Sequence, residues 1–220
     1  MKKVDFKSMS VPERNGFSMA KALKALKKSD PDLIPLLDAF NIPDLEVKTN
    51  YFQNLVRSII YQQLSGKAAQ AIAHRFNNLF GQTNLPDPHD VVKKDHQTLR
   101  SVGLSNSKAA YIHNLANAFL DDTIDHDNLG SMSNSEILDQ LTSVKGVGPW
   151  TAQMFLMFTL ARPDIFPTTD LGIQKGYQKF YKLSDLPKSA HMEARSQLWK
   201  PYRTVVSLYF WRLVEGPFIW

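Results

Sequence analysis

Asp170 sits in the run Phe166-Pro-Thr-Thr-Asp-Leu-Gly-Ile-Gln-Lys175. Pro167 breaks the structure before it, and Thr168 or Thr169 is placed to cap a following helix. A carboxylate there lies beside a helix N-terminus, where the dipole favours negative charge. A fixed negative charge can stabilise a cation that develops during a reaction, and it can orient an attacking water. The same position suits an ordinary helix cap, and the two roles are compatible. Asp164, near a proline, reads as a turn residue.

The second group with chemical potential lies upstream, in Leu141-Thr-Ser-Val-Lys-Gly-Val-Gly-Pro-Trp-Thr-Ala152, with Gly148 22 residues before Asp170. One helix is predicted to end near Val144, and another to start at Pro149 and run through Met154, Phe155 and Phe158. Gly146 and Gly148 permit a tight turn and a close backbone approach. Val147 between them can pin the turn to a core. The N–H groups after the turn point out of a helix N-terminus, which suits a phosphate. Such contacts grip nucleic acid without reading its sequence. A plain tight turn between two helices fits the same residues.

Helices must position these groups. Asn50 is predicted to cap one, with Gln53 in capping-box register and Phe52, Leu55, Val56, Ile59 and Ile60 on one face. Ser29-Asp30-Pro31 starts another, with Leu33, Ile34, Leu36, Leu37 and Phe40 as its apolar residues. Ser133 and Glu136 form a capping box ahead of Ile137, Leu138 and Leu141. Residues 109–120 and 204–214 read as further helices. Residues 81–90, with Pro86 and Pro88, and the polar stretch 121–133 read as loops. Strand signals are sparse, so the chain is expected to be all-α with roughly ten helices.

Bulk composition agrees with a folded chain. Of 220 residues, 43% are hydrophobic, enough for a real core. The formal net charge of +5 favours an anionic partner such as nucleic acid. There is no cysteine, which excludes disulfides, thiol nucleophiles, thiolate zinc sites and iron–sulfur clusters. The start, Met1-Lys2-Lys3-Val4-Asp5-Phe6, lacks the apolar run of a signal peptide. No stretch approaches the ~20 apolar residues of a membrane span. The expectation is a soluble, intracellular protein with no membrane partner, cytoplasmic in a bacterium or nuclear in a eukaryote.

Four segments together carry a resemblance. The Gly146-Val147-Gly148 hairpin, with Leu141 before it and Thr151-Ala152 after it, resembles the helix-hairpin-helix of DNA glycosylases. Ser58-Ile-Ile-Tyr-Gln-Gln-Leu-Ser-Gly-Lys-Ala-Ala69 resembles the Gln-Gln-x-Ser element of the 3-methyladenine DNA glycosylase II (AlkA/Mag) family. Leu99-Arg-Ser-Val-Gly-Leu-Ser-Asn-Ser-Lys-Ala109 is similar to that family's Gly-Leu-Ser-x-x-Lys segment. Trp199-Lys-Pro-Tyr-Arg-Thr-Val-Val-Ser-Leu-Tyr-Phe-Trp211 is similar to its C-terminal Trp-Lys-Pro-x-Arg helix. The order and spacing of the four make the joint match strong, and no sign of the N-terminal β-domain of larger members is seen.

The resemblance implies the all-α, two-lobed HhH-GPD fold. Residues 51–160 would form one lobe, with the hairpin at about 141–158, and residues 1–50 plus 161–220 the other, with a DNA cleft between them. It implies monofunctional hydrolysis of the N-glycosidic bond of alkylated purines such as 3-methyladenine and 7-methylguanine, in base excision repair. Asp170 matches the catalytic aspartate. Trp150 stands where lyase members carry a nucleophilic lysine, so no Schiff base is expected. Trp150, Trp199 and Met154 would line the base pocket, Met154 replacing a tyrosine of larger relatives, while Trp211 reads as core. Gln63, Leu64 and Ser65 would wedge into the duplex, and Gly146, Val147, Gly148 and Thr151 would hold phosphate, while the Gly-Leu-Ser-x-x-Lys segment would be structural, with Lys108 near phosphate. Arg203 is expected to pair with a carboxylate. No cofactor is required. A structural Na+ or K+ is implied at the backbone carbonyls of Thr142, Val144 and Val147, and an empty hairpin fits these residues equally. The expected partner is double-stranded DNA carrying alkylated bases, bound by a monomer. The alternative is a non-catalytic homologue that binds lesions or abasic sites.

Overall fold

A computed structural model describes residues 16–64, 66–81 and 86–216 of the chain. Among these the secondary structure is helical, with no strand. The chain divides into two compact units: residues up to Val47 together with those from Leu156 onward, and Lys48–Phe155.

The second of these units contains α3 (Tyr51–Tyr61), α4 (Gly66–Asn78), α5 (Pro88–Val92), α6 (His96–Ser101), α7 (Asn106–Leu120), α8 (Asn134–Thr142) and most of α9 (Pro149–Phe158). The predicted apolar face of α3 is buried through Phe52, Leu55, Val56, Ile59 and Ile60. Its predicted capping box does not form. Asn50 Oδ1 accepts from Asn54 Nδ2 at 2.7 Å, and Gln53 reaches away to the Pro86 carbonyl. The box at α8 does form, with the Ser133 N–H donating to Glu136 and the Glu136 N–H to Ser133 Oγ. α5 starts within the stretch expected to be loop, because Asp87 caps it and Pro88 suits its first turn. Helix α9 buries residues all round, among them Ala152, Met154, Phe155 and Leu156. That is the pattern of a core helix rather than a surface one.

The other unit contains α1 (Met19–Ser29), a 3-10 turn at Pro31–Leu33, α2 (Ile34–Asp38), α10 (Leu171–Tyr181), α11 (Ser189–Ser196), a second 3-10 turn at Gln197–Trp199, and α12 (Arg203–Glu215). Two glycines one turn apart let α10 and α12 approach closely. A Cβ on Gly176 would lie 2.4 Å from the Phe210 carbonyl oxygen, and one on Gly172 would lie 2.7 Å from Trp211 Cδ1. The segment before α10 is tied to α12 as well. Thr204 Oγ1 accepts from the Ile165 N–H and donates to the Arg162 carbonyl, and Ser207 donates to the Ile165 carbonyl.

Two buried carboxylates in this unit are paired, as their burial requires. Asp30 accepts from Arg195 Nη2 at 2.6 Å and from Trp199 Nε1 at 2.8 Å. Arg203 takes both oxygens of Asp164, at 2.7 and 3.0 Å. The expected carboxylate partner of Arg203 is therefore present. Asp164 itself is buried in that ion pair rather than being a simple turn residue, since a buried carboxylate needs a matching cation.

Candidate active site and nucleic-acid interface

Asp170 caps α10 itself, in place of the threonines before it. Its side chain accepts from the Ile173 N–H at 2.9 Å, and its backbone is extended as an N-cap residue should be. A second donor reaches the same oxygen: Trp211 Nε1 lies 2.7 Å from Asp170 Oδ1. Trp211 is buried, as expected, and stacks on Phe158 at 5.8 Å. Its indole thus aims a fixed dipole at the carboxylate. The Gln174 side chain and the Ser189 hydroxyl both donate to the Thr168 carbonyl, which holds the approach to Asp170. Gly172 is what lets the indole reach in, since its missing Cβ leaves room for Trp211 and for Glu215 Oε1. Burial pushes the Glu215 carboxyl above the usual range. The charge of Asp170 adds to the rise, and Lys175 opposes it. Leu171, directly after Asp170, is 51% exposed.

The expected base-pocket residues separate. Trp150 is half-buried in the first turn of α9. Trp199 is corrected: it is 0% exposed, its Nε1 is committed to Asp30, and Phe166, Phe210 and Tyr177 surround its ring. Met154 is corrected likewise. It is 1% exposed, in the part of the helix where Ala152, Phe155 and Leu156 are buried as well.

The expected wedge residues lie in the other unit. Residues 61–64 form a type II turn: Gln62 has φ −50° and ψ 125°, Gln63 has φ +56°, and the Leu64 N–H donates to the Tyr61 carbonyl at 3.3 Å. Position three of such a turn favours glycine, and glutamine there is strained by roughly 1–3 kcal/mol. Gln63 is exposed and Leu64 is 40% exposed, so the turn presents a polar and an apolar side chain to solvent. Ser65 lies outside the described residues.

Gln62 and Lys108 brace this turn. Gln62 Nε2 donates to Thr151 Oγ1 at 2.9 Å and to the Gly146 carbonyl at 3.2 Å. Lys108 Nζ donates to the carbonyls of Ile60 at 2.8 Å and Gln62 at 2.7 Å. Burial lowers the pKa of this ammonium. The expectation of Lys108 beside phosphate is therefore corrected: backbone oxygens already engage its ammonium.

In the hairpin α8 ends at Thr142 with Ser143 as its cap, slightly before the expected end. Gly146 has φ +107°, and a Cβ there would lie 2.2 Å from Tyr111 Cγ, so both backbone and space require glycine. Val147 is buried and pins the turn, as expected. Its N–H donates to the Val144 carbonyl at 3.0 Å, so it is turned inward rather than to a phosphate. Thr151 is 1% exposed and its hydroxyl takes the Gln62 amide, so its side chain also serves the interior. What faces outward is Gly148, with nothing within 4 Å of its Cβ position, at the start of α9. The first bond of that helix runs from the Ala152 N–H to the Gly148 carbonyl. Donors of the first turn point toward the helix end, where an anion binds.

Comparison with known proteins fits this geometry. Residues 56–201 match the model of the HhH-GPD superfamily of base excision DNA repair proteins. The chain belongs to the HhH-GPD superfamily. A Schizosaccharomyces pombe relative named DNA-3-methyladenine glycosylase 1 is 32% identical over 166 residues, 75% of this chain and 73% of its own length. The solved structure of the S. pombe glycosylase Mag1 in complex with abasic DNA superposes with a TM-score of 0.80 at 30% identity, over 87% of this chain and 95% of that one. A DNA-3-methyladenine glycosidase structure from Bacillus halodurans gives 0.76 at 32% identity, covering 91% and 92%. A longer Bacillus subtilis relative is 34% identical over 166 residues, and the match spans 58% of its length. The all-helical HhH-GPD fold expected from the sequence is the fold observed.

Two structural features of this HhH-GPD chain escape motif reading. The link from Trp211 to Asp170 joins residues 41 apart. The spacing of Gly172 and Gly176, one helical turn, is the sequence signal for a close neighbour helix. The bracing role of Gln62 was hidden by its neighbour Gln63, because only the turn geometry tells the two apart.

Proposed function

We propose that this chain is a DNA-3-methyladenine glycosylase that hydrolyses the N-glycosidic bond of alkylated purines in duplex DNA. The observation that carries the reading is the Asp170 carboxylate, held at Oδ1 by a helix N–H and an indole N–H in a family of base excision repair proteins. An alkylated purine carries a positive charge and is already a good leaving group. The C1′–N bond breaks with its electron pair moving to the purine, which departs neutral. The sugar becomes oxocarbenium-like, and the Asp170 charge stabilises it. Water adds to C1′ and loses a proton.

The base must first leave the stack, at a cost of a few kcal/mol. The exposed pair Gln63 and Leu64 would fill the gap, an apolar side chain being a common wedge. Trp150 would hold the cationic base by stacking and cation–π attraction, worth ~0.5–2 kcal/mol. Gly148 and the first turn of α9 would grip phosphate. The carbonyls of Thr142, Val144 and Val147 would suit Na+ or K+, being neutral oxygen donors; Val144 uses one lone pair on Val147 and keeps another.

Duplex DNA treated with a methylating agent should yield free methylated purines and intact strands until alkali is added. Borohydride should trap no adduct, because Trp150 cannot form a Schiff base. A trapped adduct would contradict hydrolysis.

Trp211→Phe keeps the ring and removes the N–H. The indole can act on the rate by fixing the position of the carboxylate, and a misplacement of about 1 Å can cost ~100-fold, so single-turnover base release should fall by roughly 10–100-fold. An unchanged rate would make the indole mere packing.

A further inference from the structure

Helix α7 and the wedge turn are joined by a chain of contacts that the glycosylase reading leaves unused. Ser105 caps α7 by accepting from the Lys108 N–H at 3.2 Å, which fixes Lys108 in the first turn. Gly103, at φ +101°, closes the preceding helix, and Arg75 Nε holds the Val102 carbonyl at 2.8 Å. From that base the half-buried Lys108 extends its ammonium to two carbonyls, one in the last turn of α3 and one inside the type II turn. The last carbonyls of a helix are the groups that a cation satisfies best. The same turn is tied from its other side, by the Gln62 amide on the Gly146 carbonyl and the Thr151 hydroxyl. Gln63 is therefore held in a left-handed conformation by Lys108 on the Gln62 carbonyl before it and by the Leu64 N–H bond to the Tyr61 carbonyl after it. Strain of this kind persists only where the surroundings over-determine it.

We propose that Lys108 is a positioning residue for the wedge: with Gln62 it locks the turn so that Gln63 and Leu64 are already set to enter the duplex. This rests on the glycosylase reading, and it gives the Gly-Leu-Ser-x-x-Lys segment a task in base extrusion rather than in phosphate binding. Without the ammonium, the two carbonyls lose their donor and the turn relaxes away from the conformation that Gln63 disfavours. The wedge then has to be ordered on binding, which weakens extrusion.

The test uses duplex DNA with a stable abasic analogue beside 2-aminopurine, whose fluorescence rises when the stack opens. Wild type should raise it on binding. Folded Lys108→Met should lose more than half of the rise, and Lys108→Arg, which can still donate to two carbonyls, should keep more than half. The salt dependence of Lys108→Met binding should match wild type, because no phosphate contact is removed. A fall in the salt slope by about 0.9 would instead make Lys108 a phosphate ligand and overturn the proposal. Lys108→Met that keeps more than half of the rise would overturn it as well. If Lys108→Met does not fold, Lys108→Gln, which also removes the charge, carries the same test with the same two outcomes. A wild type that raises no fluorescence removes the wedge itself. Failure to free methylated purines would count against the glycosylase reading alone, because abasic DNA requires no chemistry.

Discussion

Asp170→Asn is expected to slow single-turnover base release by about 10²–10³-fold, the range typical for loss of one preorganised electrostatic stabiliser. The substitution is clean because asparagine caps helices as well as aspartate does. Its carbonyl oxygen can still accept from the Ile173 N–H and from Trp211 Nε1. The fold should therefore survive, and abasic-DNA binding should be retained. What disappears is the negative charge that the proposed mechanism sets against the sugar cation. Rates on a duplex with a single 7-methylguanine, alongside thermal unfolding, separate the two roles of Asp170. A loss below tenfold would reduce the residue to a helix cap.

Gly176→Ala should produce a large loss of stability. The added Cβ would lie 2.4 Å from the Phe210 carbonyl oxygen and 2.7 Å from its carbonyl carbon. Those are backbone atoms of α12, so no rotamer change relieves the clash, and α10 and α12 must separate. Overpacking of this kind costs ~1–3 kcal/mol, which lowers Tm by roughly 2–4 °C for each kcal/mol in a chain of this size. The effect should reach the site. Trp211 follows Phe210 on α12 and Asp170 caps α10, so a wider helix pair pulls the indole from the carboxylate. Base release should fall along with Tm in calorimetry and kinetics. An unchanged Tm would show that the two helices are not in the close contact described.

The sequence made helix faces, the hairpin and Asp170 legible because each depends on local signals. Periodicity exposed the buried side of α3, the Ser133–Glu136 capping box marked the start of α8, and two glycines around Val147 marked the turn. Partners distant in the chain were not legible. Asn50 is a good capping residue, yet its side chain accepts from Asn54 and leaves Gln53 to Pro86. Trp199 and Met154 sit at positions that resembled pocket residues, but tertiary packing buries both. Lys108 reads as a surface cation until its ammonium is found on Ile60 and Gln62. Residue type declares what a side chain can do; only the fold decides which neighbour it meets.

The most direct test of the account is release of free bases from methylated duplex DNA by the wild-type chain, followed by chromatography. The account predicts 3-methyladenine or 7-methylguanine in solution and abasic sites left in unbroken strands. Binding to abasic DNA with no free base would contradict it, and would leave a protein that recognises lesions without removing them.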